Sequence, residues 1–366
     1  MKQSERLMSL DALRGFDMLF IMGFASFVVA VCGLWPSAVT DAAAASMSHV
    51  AWDGFAHHDT IFPLFLFIAG VSFPYSVAKQ RAGGMSEGRI YAKIVRRGLT
   101  LVVLGMVYNG LFKLDFENLR IASVLGRIGL AWSIAAVLYL NFGVKTRAAI
   151  AVAVLAGYGA LSALVAAPDA AGAGPLTFEG NLAGYIDRQF LPGKLIYGSF
   201  DPEGLLSTVP AVVTAMLGMF TGEFVRRGDI RGGRKTLWMA AAAAALLAAG
   251  LAFSGVLPVN KKLWSSTFVC VVGAYSLGMF ALFYYLIDVR GWRRWTLFFR
   301  VVGLNSITIY LAQRIVGFGR ISDFFLGGIA SKCPEAVAAV ISSAGYVAVC
   351  WLFLYFLYRK NVFLKV

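Results

Sequence analysis

Ten apolar runs of about 20 residues each are the feature that most constrains how this chain can fold. A helix of about 20 residues is about 30 Å long, which matches the hydrocarbon thickness of a bilayer. A mean hydropathy of +0.73 with 14% charged residues excludes a water-soluble globule. The sequence therefore predicts an all-α, polytopic bundle of about ten transmembrane helices, forming one domain over residues 1–366. The predicted spans are 11–33, 59–79, 92–112, 121–141, 148–166, 205–225, 237–256, 265–287, 297–316 and 338–357.

The distribution of Lys and Arg predicts the orientation of these spans. Basic residues collect in the 79–97, 226–235 and 290–300 connections. The 34–58 segment has no Lys or Arg, and 167–204 has more acidic than basic residues. Short basic connections stay on the cytoplasmic side. We therefore expect both termini in the cytoplasm, and segments 34–58 and 167–204 outside.

The net charge of +14 has the same explanation. Its basic residues lie in short connections between helices and not in a tail or a separate domain, so the sequence favours membrane anchoring over nucleic-acid binding. The four cysteines show no CxxC or CxxH spacing, so no metal site or disulfide framework is implied. Charged residues inside the first run, Asp11, Arg14 and Asp17, indicate a retained helix and not a cleaved signal peptide.

Polar side chains within the spans are candidates either for a functional pathway or for hydrogen bonds that hold helices together. They are Arg14, Asp17, Asn109, Arg127, Glu223 and Asn305. Arg127 lies about 10 Å into its span, too deep to reach water easily, so we expect a buried counter-ion or an anionic ligand beside it. Arg14 is near the cytoplasmic end, where its side chain could instead extend to water.

All three histidines, His49, His57 and His58, lie together where a polar segment enters the second span. On the same predicted face, Asp201 and Glu203 precede the sixth span. These two carboxylates either cap that helix or bind a cationic or hydroxyl-rich solute.

Six segments, in order along the chain, resemble the heparan-α-glucosaminide N-acetyltransferase family of transmembrane acetyltransferases and its bacterial homologues. They are SLDALRGFDM (9–18), HVAWDGFAHHDTIFPLFLFIAGVS (49–72), RIASVLGRIGLAW (120–132), DPEGLLSTVPAVVTAMLGMFTGE (201–223), PVNKKLWSSTFV (258–269) and GLNSITIYLAQ (303–313). The resemblance implies an enzyme of the bacterial inner membrane that moves an acetyl group from cytoplasmic acetyl-CoA to an amine, in that family an amino sugar, on the far side. It also makes a homodimer plausible.

Carried over by position, the family's catalytic histidine falls on His49, in an HxxWxG pattern with Trp52, and its acidic residue before IFP falls on Asp59. A histidine suits an amine that must lose a proton, as general base or as transient acetyl carrier. Asp59 would fix the histidine tautomer if the loop folds back. The family's asparagine near the end of the first span is Ala25 here.

The phosphates of acetyl-CoA cannot enter hydrocarbon, so the nucleotide stays inside while the slender acyl arm threads between helices. The candidate cofactor-binding residues are Arg14, Arg96, Arg97, Arg127 and Asn305, and the candidate substrate-binding residues are Trp52, Asn109, Asp201 and Glu203. Arg127 or Asn109 is also a candidate to stabilise the oxyanion.

Two alternatives remain open on the sequence. A transporter for a small polar solute could use Arg14, Asp17, Arg127 and Asn305 as its path, although the two halves of the chain show no internal repeat. The second alternative is a family member that binds CoA without transferring acetyl groups. The replacement of the family's asparagine by Ala25 is compatible with this alternative. Segment 317–337 is either a surface helix or a re-entrant piece.

Overall fold

The computed structural model describes residues 7–364, and its regular elements in that range are helices joined by loops with two isolated β-bridges. The helices are α1 Met8–Leu19, α2 Ala25–Cys32, α3 Ala38–Ala45, α4 Ile61–Ala82, α5 Glu87–Tyr108, α6 Val124–Asn141, α7 Val144–Leu164, α8 Leu182–Phe190, α9 Leu205–Val225, α10 Gly232–Phe253, α11 Ser266–Phe283, α12 Thr296–Leu304, α13 Ser306–Ile315, α14 Phe318–Ala330 and α15 Glu335–Arg359. The predicted all-helical membrane bundle is confirmed.

Eight helical segments among the described residues are long and apolar enough to cross a membrane, against about ten predicted. The predicted span 92–112 corresponds to α5, whose first turns carry too many basic residues to qualify. The predicted span 297–316 is divided at Asn305 into α12 and α13, and neither piece reaches the length of a span.

The centre of the bundle consists of α4 and α9, which are mostly buried, whereas α7, α10 and α15 are mostly exposed, as lipid-facing helices are. Glycines permit the close approach of α4 and α9. A Cβ at Gly70 would lie 2.2 Å from the Ala215 carbonyl oxygen, and one at Gly218 would lie 2.0 Å from the Phe67 carbonyl oxygen. Small residues at these two positions therefore let the backbones of α4 and α9 approach each other closely.

The first membrane helix is not straight. Between α1 and α2 the chain forms a wide helical turn over Phe20–Phe24, where Gly23 has a φ of +108°. A side chain there would also collide with the ring of Tyr346 on α15. Only glycine combines that backbone angle with that packing, so the bend is fixed by sequence.

Residues 317–337 contain α14, which at 13 residues is about 20 Å long and too short to span a membrane. Gly345 of α15 admits Ser322 and Leu326 of α14 against its backbone. This part of the chain is thus a helical hairpin in which α14 packs on the first half of α15.

The loops gather at two ends of the bundle. The histidine end, as we name it, carries the α3–α4, α5–α6, α7–α9 and α10–α11 connections, which hydrogen-bond to one another. The basic end carries the α4–α5, α9–α10 and α11–α12 connections, where Lys and Arg collect.

Candidate active site

His49 lies at the histidine end, in the loop between α3 and α4, with its side chain about half exposed (51%). Its Nδ1 is 2.7 Å from a carboxylate oxygen of Asp59. The loop does fold back over the ten residues that separate them, as the tautomer argument required. An ionised Asp59 places the proton of a neutral His49 on Nδ1 and leaves the lone pair of Nε2 free to act.

Asp59 is nearly inaccessible, and its second oxygen accepts the backbone N–H groups of Val50 and Ala56, both at 3.3 Å. Burial alone would raise the pKa of Asp59. The hydrogen bond with His49 and the charge of Lys261 outweigh burial and hold the pKa of Asp59 below its ordinary value. The carboxylate is therefore ionised and rigidly placed beside the imidazole.

Lys261, a residue that the sequence reasoning did not select, completes the group. Its Nζ lies 2.9 Å from Nδ1 and 3.2 Å from Nε2 of His49, and 3.5 Å from a carboxylate oxygen of Asp59. Burial lowers the pKa of Lys261. The site is thus a cluster of one carboxylate and two bases, which we name the His49–Asp59–Lys261 cluster.

The local backbone explains why these three residues meet. Gly54 has a φ of +129°, and its N–H donates to the Val259 carbonyl, while Asp53 accepts the Val259 N–H at 2.9 Å. These bonds tie the His49 loop to the α10–α11 loop that carries Lys261. The glycine of the HxxWxG pattern is therefore required by backbone geometry.

Trp52 supports the same loop from another side. Its indole N–H donates to the Leu176 carbonyl at 2.8 Å, and its ring contacts Phe178 and Phe200 of the α7–α9 connection. The donor of Trp52 is thus occupied within the protein, which leaves its ring as the part that a substrate could contact.

The other two histidines lie beside the cluster. The ring of His58 is 4.6 Å from that of His49, and burial together with the charges of His49 and Lys261 lowers the pKa of His58 to about 4. His57 packs against Phe20 and Tyr275, and burial lowers its pKa as well. Both rings are neutral at neutral pH and form the apolar side of the site.

Asp201 and Glu203 bind Arg120. Asp201 pairs with both ends of the guanidinium at 2.6 Å, and Glu203 makes a further hydrogen bond to it. Neither carboxylate caps α9 by a side-chain hydrogen bond; the Leu205 N–H instead donates to Asp187 at 2.9 Å. A side chain at Gly204 would collide with Asp187, so the glycine gives the capping carboxylate its room.

Asn109 ends α5 and holds the loop that follows. Its amide donates to the Arg120 and Ala122 carbonyls at 2.8 and 2.9 Å. Both N–H groups of the side chain are used, so the structure favours the structural reading of Asn109 over substrate binding or oxyanion stabilisation.

Arg127 is 2% exposed and lies over the ring of Trp264, with one nitrogen bonded to the Ser207 hydroxyl. We expected a buried counter-ion beside Arg127, but no carboxylate hydrogen-bonds to it among the described residues. Its Nε and Nη1 have no hydrogen-bond partner among those residues, so they remain available to an anionic group within the bundle.

Two cavities extend from the basic end. The first, here the basic cavity, has a volume of about 590 Å³ and is lined by Gln80, Lys93, Arg96, Arg97 and Trp132 among others. The second, here the apolar cavity, has a volume of about 440 Å³ and runs between α1, α4, α5, α6 and α12–α13. Arg97 lines both cavities, and Arg14 and Ser72 line the apolar one. The apolar cavity reaches Phe62, one helical turn from Asp59.

Asn305 marks the break between α12 and α13, and its amide donates to the Val362 carbonyl at 3.2 Å. The chain turns back after α15 at Asn361, which has a φ of +54°, and Phe363 and Leu364 line the apolar cavity. Asn305 does not line the apolar cavity, but it holds the returning segment whose next two residues do.

The bundle and the His49–Asp59–Lys261 cluster define a polytopic membrane protein with a histidine site at one end. The family model described as heparan-alpha-glucosaminide N-acetyltransferase, catalytic, matches residues 6–256. The chain belongs to this family, which confirms the resemblance, and four of the six segments lie within the matched residues. The match includes His49 and Asp59 and ends five residues before Lys261.

Two curated relatives extend the likeness. Heparan-alpha-glucosaminide N-acetyltransferase of Homo sapiens is 27% identical, with 87% of this chain and 55% of the relative covered. The protein of the same name from Mus musculus is 26% identical, with 87% and 56% covered. The chain spans about half the length of these relatives, and the likeness continues well beyond residue 256.

Proposed function

We propose that this protein moves an acetyl group from acetyl-CoA, held from the basic end, to the amine of an amino sugar at the histidine end. His49 acts as general base or as transient acetyl carrier, and Asp59 holds its tautomer. The observation that carries the proposal is the 2.7 Å contact between His49 and Asp59, beside an apolar cavity that reaches Phe62 and shares Arg97 with the basic cavity.

The two cavities have the chemistry of the two parts of CoA. Lys93, Arg96 and Arg97 line the basic cavity, where the phosphates would find cations. The apolar cavity has mostly carbon-lined walls suited to a thin acyl-bearing arm. Arg97 stands where the phosphates end and the arm begins.

The acceptor is proposed from the name of the relatives, which act on the nitrogen of a glucosaminide. The histidine end would then face away from the cytoplasm, and both termini would lie inside, in the inner membrane of a bacterium. The distribution of Lys and Arg supports this orientation.

Calorimetry on the purified protein tests the enzyme reading against the alternatives. We expect acetyl-CoA and CoA to bind, and glucosamine to yield N-acetylglucosamine and free CoA when both substrates are present. A transporter of polar solutes would show no affinity for either nucleotide, and a binding protein without transfer would bind CoA but form no product.

Sidedness is tested by single cysteines in a variant whose four native cysteines are replaced by serine. Ser48→Cys lies at the histidine end, Ser331→Cys precedes α15, and Gly228→Cys lies at the basic end; all three positions are exposed. A membrane-impermeant maleimide added to intact cells should label the first two and spare the third. The reverse pattern would contradict the orientation.

A further inference from the structure

The position of Lys261 relative to His49 constrains how protons move in the site. Asp59 occupies Nδ1, so Nε2 is the nitrogen that meets substrate. The Nζ of Lys261 is 3.2 Å from that same Nε2 and 2.9 Å from Nδ1. Any acyl carbon or amine within bonding reach of Nε2 is therefore also close to Lys261.

The charges around Lys261 do not suit a permanent cation. Its nearest carboxylate, Asp59, already binds His49, and the Lys261 side chain is only 19% exposed. Burial is the largest influence on the pKa of Lys261 and lowers it; Arg127 acts in the same direction, while Asp59 and Glu203 oppose the shift. The remaining neighbour, His58, is neutral at neutral pH. One carboxylate thus serves two bases, and protonation of one base opposes protonation of the other.

We propose that Lys261 is a catalytic proton carrier, which takes a proton from the ammonium of the acceptor and delivers it to the sulfur that leaves the acetyl group. This inference rests on the proposed acetyl transfer. It assigns to Lys261 a role that charge alone cannot fulfil, because the residue must both accept and release a proton.

The protons and bonds balance as follows. The acceptor ammonium gives one proton to neutral Lys261 and becomes an amine. The amine nitrogen forms a bond to the thioester carbon, and its second departing proton goes to Nε2 of His49. The carbon–sulfur bond breaks, the sulfur keeps the electron pair, and protonated Lys261 gives its proton to the thiolate. His49 then releases its proton to water, so the products are the amide, CoA thiol and one proton.

Two substitutions separate proton transfer from charge. Lys261→Arg keeps a cation that does not lose its proton in proteins, and Lys261→Met removes the charge at similar length. We expect both variants to lose about 100-fold or more in kcat for acetyl transfer from acetyl-CoA to glucosamine, the range of general acid–base catalysis. The neighbouring Lys262→Arg is the matched control and should keep full activity, because the Lys262 ammonium lies over the ring of Tyr197 and has no hydrogen bond with His49 among the described residues.

The pH profile is the second readout. In the unaltered protein, kcat/KM for glucosamine should rise with pH in steps to which Lys261, His49 and the acceptor ammonium each contribute, and the Lys261 step alone should be absent in Lys261→Arg and Lys261→Met. An Arg variant that retains more than a tenth of kcat, or a pH profile in either variant that has the same shape as that of the unaltered protein, overturns the inference while acetyl transfer itself stands. Absence of transfer in the unaltered protein would remove the proposed function and this inference together. Binding of acetyl-CoA, measured by calorimetry, verifies that each variant is folded. If one variant does not fold, the pH profile of the other is enough for the test.

Discussion

A carboxylate oxygen of Asp59 lies 2.7 Å from Nδ1 of His49, although ten residues separate them in the chain. The carboxylate is held by two backbone N–H groups and hardly reaches solvent, so the imidazole has little freedom to turn. The pair has the geometry by which a buried acid fixes the tautomer of a catalytic histidine.

Replacement of Asp59 by Asn tests that relationship. The amide cannot favour the Nδ1–H tautomer as an anion does, so we expect kcat to fall by about 10²- to 10⁴-fold. The affinity for acetyl-CoA should stay within about twofold, because Asp59 lies outside both cavities. Asp41→Asn, on the exposed face of α3, is the control. Unchanged turnover in Asp59→Asn would show that the tautomer is fixed by something else.

Arg97 offers a test of cofactor placement. Its removal in Arg97→Met should raise the Kd for CoA by about tenfold or more, since a charge-assisted hydrogen bond contributes about 1.5–3 kcal/mol. Arg89, exposed on the same helix and outside both cavities, provides the control Arg89→Met. Titration calorimetry at two salt concentrations measures both. Equal affinities in the two variants would place the phosphates elsewhere.

The ion pair between Arg120 and Asp201 is expected to stabilise the histidine end. Asp201 is 1% exposed, so Asp201→Ala leaves the Arg120 guanidinium, whose side chain is 19% exposed, with Glu203 as its one remaining partner in this group. We expect a loss of about 1.5–3 kcal/mol in the free energy of unfolding. Thermal melting in detergent, compared with Asp169→Ala in the exposed pair with Arg188, measures the difference. Equal melting temperatures for the two variants would contradict this account.

Asp187 predicts a pH dependence of stability. Burial raises the pKa of Asp187 to about 6, against an ordinary value of 3.8. The protonated carboxyl is therefore favoured in the folded state, and this contribution, about 2–3 kcal/mol, is complete below pH 4 and lost as the pH rises through 6.

Melting temperatures between pH 4.5 and 7 test this sign. The fall with rising pH should be smaller in Asp187→Asn, which cannot ionise. Asp169→Asn is the control, because the hydrogen bond from Arg188 lowers the pKa of Asp169 and gives its contribution the opposite pH dependence. A wild-type curve that Asp187→Asn leaves unchanged would mean that Asp187 is ionised throughout.

Much of the fold could be predicted from sequence, because bilayer thickness sets the length of apolar runs. Eight of the ten runs are helices that qualify as spans. The other two differ for local reasons: basic residues crowd the start of α5, and Asn305 interrupts the helix and binds the returning chain at Val362. Mean hydropathy predicts neither effect. The first depends on where charges lie along α5, and the second on a contact between Asn305 and a residue 57 positions further along the chain.

The candidate site was less predictable. His49 and Asp59 lie in one motif, so the pattern could select both. Lys261 comes from a loop 212 residues further on, and an isolated pair of lysines beside a membrane helix resembles an anchor. A signal did exist: Lys261 and Lys262 stand in a connection that the charge pattern places outside, where anchoring lysines are not expected. Asp187 was missed because its capping role depends on the α8–α9 fold.

The most direct measurement is acetyl transfer by His49→Ala, followed as N-acetylglucosamine formed from acetyl-CoA and glucosamine by purified protein. We expect no product above the uncatalysed rate, with binding of acetyl-CoA and the melting temperature close to those of the unaltered protein. Product formation by His49→Ala at the rate of the unaltered protein would contradict the central claim that this imidazole performs the chemistry.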